Sequence, residues 1–146
     1  MKFSKILVPV DFSELSLAAL KAADELAQGT GAELTLAHVH PYTTVSVLDY
    51  TYAEPPEVVA QVCAAIEEKL QALVHTLGTP PERCHVLVQT GDPAAELMSL
   101  SAGHDLVVMS THGRTGLRHF LLGSVAERLV RGAKCSVLVV REPSDG

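Results

Sequence analysis

The sequence predicts one α/β domain, an open parallel sheet of five strands with helices on both faces. Three observations lead there. Short apolar, β-branched runs alternate with longer stretches whose apolar residues recur every three or four positions. The short runs are apolar throughout instead of alternating, the pattern of parallel strands buried on both faces. The chain has 146 residues, one domain's worth on a scale of roughly 100–200 residues each, so residues 1–146 are read as a single unit.

Taken in order, Ile6-Leu7-Val8-Pro9-Val10 is a compact strand that ends at Asp11. Ser13 is a candidate N-cap, with Glu14 in the first turn where the helix dipole favours an anion. Leu17, Leu20, Ala23 and Ala27 form the expected buried stripe of the first helix, and Gly29 and Gly31 stop it. Residues 34–39 give a second strand, ended by His40-Pro41. Residues 42–54 show no clean period. Pro55-Pro56 then opens a long amphipathic helix with Val59, Val62, Ile66, Leu70, Leu73 and Leu77 on one face. Gly78 and Pro80-Pro81 end it, and residues 85–89 form a third strand. Asp92 caps a short helix whose first residue is Pro93, where the missing N–H costs nothing. Leu97 and Leu100 face inward and Gly103 closes the helix. Residues 105–109 are a fourth strand and 136–140 a fifth. A loop (110–121) and a helix over about 123–131, opened by Ser124 with Glu127 three residues on as a capping box, lie between them.

Composition excludes several functions. The net charge is −6, from 17 acidic and 11 basic residues. Such a field disfavours nonspecific binding to nucleic acid or an anionic membrane. Aromatic residues make up 4% and Trp is absent, which disfavours a stacking platform for single strands. No apolar run approaches the roughly 18–20 residues that cross a bilayer, and the start is too briefly apolar for a signal peptide. The expectation is a soluble, cytoplasmic protein. Cys63, Cys84 and Cys135 form no CxxC pair and read as buried reduced thiols.

In open parallel sheets a ligand sits beyond the carboxyl ends of the strands, where strand order reverses. One segment there stands apart. Residues 106–126 contain no acid, yet they hold His112, Arg114, Arg118 and His119 together with Gly113, Gly116 and Gly123. Glycines let backbone N–H groups approach a phosphate, and a helix N-terminus favours an anion. The chain has neither GxxxxGK[ST] nor a GxGxxG after its first strand, which argues against a P-loop or a dinucleotide fold.

The segment Ser110-x2-Gly113-x9-Gly123-Ser124 resembles the G-x2-G-x9-G-[ST] motif of universal stress proteins of the UspA family. The opening Ile6-Leu7-Val8-Pro9-Val10-Asp11-Phe12-Ser13, the Val-Ala-Glu-Arg-Leu after Ser124, and the closing Val137-Leu138-Val139-Val140 also fit, so the likeness spans nearly the whole chain. It implies strand order 3-2-1-4-5 in a Rossmann-like sheet of the adenine nucleotide alpha hydrolase type. It also implies bound ATP, with Mg²⁺ carried by phosphates and water. Adenine and ribose would meet Pro9, Val10, Asp11, Val39 and Met109. Phosphates would meet Ser110, His112, Gly113, Arg114, Gly123, Ser124 and Val125. Ser110 departs from the motif's glycine: it still offers an N–H, but its Cβ crowds the ligand space. The competing role for Asp11 is capping the turn toward Ser13, and His112 is equally a plain loop histidine. His38 and His40 lack partners at metal-ligand spacing, so no metal site is expected.

No GxSxG, HExxH or paired-carboxylate motif is present, so no catalytic residue is assigned and at most weak ATP hydrolysis or autophosphorylation is expected. The last strand would lie at a sheet edge, where an apolar strand invites pairing. The resemblance implies a homodimer through that strand and a regulatory role with an unnamed downstream protein partner. The alternatives are a nucleotide-free dimeric adaptor, and a slow ATPase or binder of AMP or cyclic AMP.

Overall fold

A computed structural model describes residues 1–111 and 122–141. The elements run β1 (Lys5–Pro9), α1 (Glu14–Thr30), β2 (Glu33–His40), β3 (Thr44–Val47), β4 (Tyr50–Ala53) and α2 (Pro56–Val74). A 3-10 turn at Pro81–Arg83 precedes β5 (Cys84–Thr90), α3 (Pro93–Ser101), β6 (Leu106–Ser110), α4 (Ser124–Gly132) and β7 (Ser136–Val140). Five strands make one parallel sheet in the order β5-β2-β1-β6-β7. With β5, β6 and β7 as the third, fourth and fifth strands expected, this is the order 3-2-1-4-5.

The sheet divides two apolar layers. Ile6, Val8, Val10, Leu34, Leu36 and Val108 pack on one face with Ala19, Leu20 and Ala23 of α1 and Leu70 and Val74 of α2. Leu7, Ala37, Val39, Val107 and Met109 pack on the other with Leu97 of α3 and Ala126 and Leu129 of α4. Successive strand residues therefore enter opposite layers, which is why the strand sequences are apolar throughout.

The helix signals act where the sequence places them. The Ser13 hydroxyl accepts the Ser16 N–H at 3.1 Å, and α1 ends at Gly31, whose φ of 77° is left-handed. Asp92 accepts the Ala95 N–H at 2.9 Å at the start of α3, next to Pro93. Leu17 departs from the expected stripe: it is 37% exposed, and the buried side of α1 instead includes Ser16 and Asp24. Both polar groups are paired, which removes the cost of burying them. The three cysteines are free but only half-buried, so the expected full burial does not hold.

Residues 42–54, which showed no clean period, contain a two-stranded antiparallel hairpin separate from the main sheet. Val45 faces Tyr52 and Val47 faces Tyr50 across it, so these four share one face, and all are exposed. The opposite face carries hydroxyls, with Ser46 Oγ 3.3 Å from Thr51 Oγ1. Leu48 makes the turn with φ 56°, an uncommon conformation for a leucine. At the hairpin's base His40 Nε2 lies 3.3 Å from Glu54 Oε2.

Two aspartates tie distant segments together. Asp105 Oδ2 accepts the Ser4 hydroxyl at 2.7 Å and the Ser4 and Lys5 N–H groups at 2.9 Å each, joining the starts of β1 and β6. Asp24, inside α1, reaches the connection after α2. Its Oδ1 accepts the Thr79 hydroxyl at 2.6 Å and the Thr79 N–H at 2.8 Å. Its Oδ2 accepts the Gly78 N–H at 2.9 Å and the Gln28 amide at 3.1 Å. Burial pushes the Asp24 carboxyl upward, but the hydrogen bonds from Thr79, Gly78 and Gln28 together outweigh it and hold the group below its ordinary value of 3.8.

Asp24→Ala leaves the buried Thr79 hydroxyl and two N–H groups without their acceptor and is expected to cost about 2–4 kcal/mol of stability, measured by urea unfolding at pH 7. Because the folded carboxyl is the stronger acid, its contribution is complete above the unfolded value and is lost as pH falls through 3.8 and below. Between pH 5 and pH 3 the wild type is therefore expected to lose more stability than Asp24→Ala. Parallel urea midpoints at the two pH values check this, and equal losses would remove Asp24 as the cause.

Candidate functional site

Strand order reverses at β1: its neighbours β2 and β6 are reached by crossovers on opposite faces of the sheet. The connections leaving the carboxyl ends of β1 and β6 therefore diverge and leave a crevice between them. Of the residues expected there, Pro9 ends β1 with Val10 and Asp11 just beyond it, Val39 lies near the end of β2, and Met109 and Ser110 end β6. Val10, Val39, Met109 and Ser110 are buried.

The turn after β1 is tightly held. Val10 extends the pairing by donating its N–H to Ala37 O at 2.8 Å. His38 Nδ1 lies 2.7 Å from Val10 O. A carbonyl only accepts, so Nδ1 carries the hydrogen and donates it. Asp11 Oδ1 accepts the Ser13 N–H at 2.9 Å and the Ser13 hydroxyl at 2.5 Å, and the Asp11 N–H reaches Ser16 Oγ at 3.3 Å. The capping role considered for Asp11 is thus filled. Between these bonds Phe12 takes φ 65°, the left-handed region that side chains disfavour. Its ring centroid lies 5.7 Å from that of His38, and Lys69 Nζ sits 5.5 Å from its centre.

On the other side of the crevice, β6 runs to Ser110. The Gly123 N–H donates to Thr111 O at 2.7 Å, so the chain leaves and returns at one point. His112, Gly113 and Arg114 belong to residues 112–121, outside the described residues. At the start of α4 the structure corrects the capping box. Gly123, not Ser124, is the N-cap, and among the described residues no side chain caps the helix. Ser124 is already the first helical residue, from which its hydroxyl has no N3 to cap. The Glu127 N–H bonds to Gly123 O at 2.9 Å while its carboxylate pairs with Arg131 at 3.0 Å. Val125 follows, half-buried against the second apolar layer.

Arg128, further along α4, pairs at 2.9 Å with Asp92, the cap of α3. The Ala95 N–H holds the Asp92 carboxyl below its ordinary range; burial opposes this, and the Arg128 guanidinium adds to the lowering. This pair joins the two helices on the second face at the surface. Sequence reading singled out neither the positive φ of Phe12 nor the bond from His38 to Val10. Neighbouring side chains set the first. The second joins residues 28 positions apart, aligned only by the parallel register of Pro9 with Ala37.

Among the described residues no group of three or more His, Cys, Asp or Glu gathers at metal-binding distance, and no helix is long and apolar enough to cross a membrane.

The comparisons with known proteins agree across the length of the chain. A universal stress protein family model matches residues 2–141. A universal stress protein of Methanocaldococcus jannaschii is 32% identical, with 97% of this chain and 84% of that one covered. The universal stress protein YxiE of Bacillus subtilis is 31% identical over 95% of this chain and 99% of its own. Among solved structures, UspA from Lactobacillus plantarum superposes with a TM-score of 0.76 at 23% identity, covering 97% and 99% of the two chains. A universal stress protein crystallised in complex with cAMP gives 0.70 at 22% identity, covering 96% and 98%. These two structural likenesses are of fold. The chain belongs to the universal stress protein family.

Proposed function

We propose that the chain binds an adenine nucleotide, ATP foremost, in the crevice between β1 and β6, and acts as a dimeric stress-response regulator in the cytoplasm. The observation that carries the reading is the start of α4. Its N-cap is a glycine, which brings no side-chain oxygen of its own, and a hydrogen bond from its N–H to Thr111 O holds it beside the end of β6. A helix end in that state offers N–H groups and a favourable dipole to a phosphate. The adjoining residues 106–126, free of acid in a chain of net charge −6, suit the same ligand.

In this reading Gly123, Ser124 and Val125 contribute N–H groups to the phosphates, with Ser110, His112, Gly113 and Arg114 facing them from the preceding segment. Pro9, Val10, Asp11, Val39 and Met109 receive the nucleoside. Mg²⁺ arrives with the phosphates, held by them and by water. The family neighbour crystallised with cAMP makes cAMP the natural competitor to test. Ser110 in place of glycine narrows the ligand space without removing a backbone donor. The edge of β7 that β6 leaves open is the surface proposed to pair with a second copy.

Denaturing freshly purified protein and identifying released small molecules by mass spectrometry is expected to yield an adenine nucleotide. Calorimetric titration of the emptied protein with ATP, with cAMP as competitor, is expected to show binding that falls at least tenfold in a Gly113→Val, Gly123→Val variant. No release and no titration would overturn the nucleotide reading; undiminished binding by the variant would overturn the site. Light scattering at micromolar concentration is expected to give twice the chain mass of 15.5 kDa, and a monomer would exclude the β7 dimer.

A further inference from the structure

We propose that His38 is a positioning residue of the nucleotide site, setting the shape of the β1–α1 turn and with it the direction of the Asp11 carboxylate. The inference rests on the nucleotide reading above. It starts from a contrast within one turn. Val10 has both main-chain groups held by β2: its N–H by Ala37 O at 2.8 Å, its carbonyl by the His38 side chain at 2.7 Å. The second bond takes the place of a sheet bond. Beyond Pro9 the β1 ladder has ended, and the imidazole extends the pairing by one carbonyl.

Two residues later the chain adopts φ 65° at Phe12. Such a conformation costs a side chain on the order of 1 kcal/mol and persists where surroundings impose it. The surroundings are visible on both sides. Upstream is the His38 bond to Val10. Downstream, Ser13 and Ser16 hold Asp11 through its carboxylate and its N–H. The Phe12 ring closes back on the His38 ring and is covered by Lys69. Asp11 thus sits between an anchor it shares with α1 and an anchor supplied by β2. Removing the His38 bond weakens the hold on the Val10–Asp11 peptide, whose N–H keeps its longer 3.3 Å bond to Ser16 Oγ, while α1 and its Ser13 cap stay formed.

The donor position identifies the substitutions. The amide nitrogen of asparagine lies close to where imidazole carries Nδ1, so His38→Asn keeps a donor for Val10 O, whereas His38→Leu keeps bulk and removes it. Three measurements on the full chain test the role. Histidine ¹⁵N spectra are expected to show His38 in the Nδ1–H tautomer when neutral; the Nε2–H tautomer would overturn the proposal at its first step. Amide exchange in the nucleotide-free protein is expected to speed at Ser13 in His38→Leu and to return toward wild type in His38→Asn, with α1 beyond Ser16 unchanged. ATP titration is expected to show about tenfold weaker binding for His38→Leu and recovery to within about threefold for His38→Asn. If both variants bind ATP as the wild type does, or lose affinity equally, His38 does not position the site. If the wild type itself binds no ATP, the nucleotide reading falls, and the ligand role of His38 with it.

Discussion

Everything in this molecule depends on β1 being paired on both sides within a sheet covered on both faces. Ile6, Leu7 and Val8 are fully buried, and they face opposite layers in turn. That arrangement forces the crossovers to opposite sides and opens the crevice at the carboxyl end of β1 as a by-product of folding. The stability of the core and the location of the crevice thus share one cause. The polar ties serve the same geometry: Asp105 joins the starts of β1 and β6, Asp24 fastens α1 to the segment before β5, and Asp92 links α3 with α4 through Arg128.

How far the sequence speaks follows from the range of the interactions involved. Caps such as Ser13 and Asp92, the glycine stop at Gly31 and the buried face of α2 are local, so spacing along the chain reveals them. Residues 42–54 hid a hairpin although Val45, Val47, Tyr50 and Tyr52 alternate with hydroxyl residues. Its turn is Leu48-Asp49 instead of the glycine or asparagine that normally marks one, and neither face is buried to confirm the alternation. Leu17 misled for the reverse reason. Its apolarity suggested burial, but Ser16, bonded within its own turn, and Asp24, bonded to the segment after α2, take the inner side of α1.

At the candidate site, the described segments singled out in the sequence lie at or just past strand ends. Pro9, Val10, Val39, Met109 and Ser110 fall at the ends of β1, β2 and β6 because strand boundaries are legible. The N-cap of α4 is Gly123, one residue before the Ser124 that the sequence suggested, because serine spacing before a glutamate fits either register. The His38 bond to Val10 was invisible, since no local pattern says which strands are neighbours.

The hydrogen bond from the Gly123 N–H to Thr111 O sets the start of α4 beside the end of β6. Any shift of β6 along its pairing with β1 and β7 would carry that helix start with it, so the register of the sheet also fixes where the last helix begins.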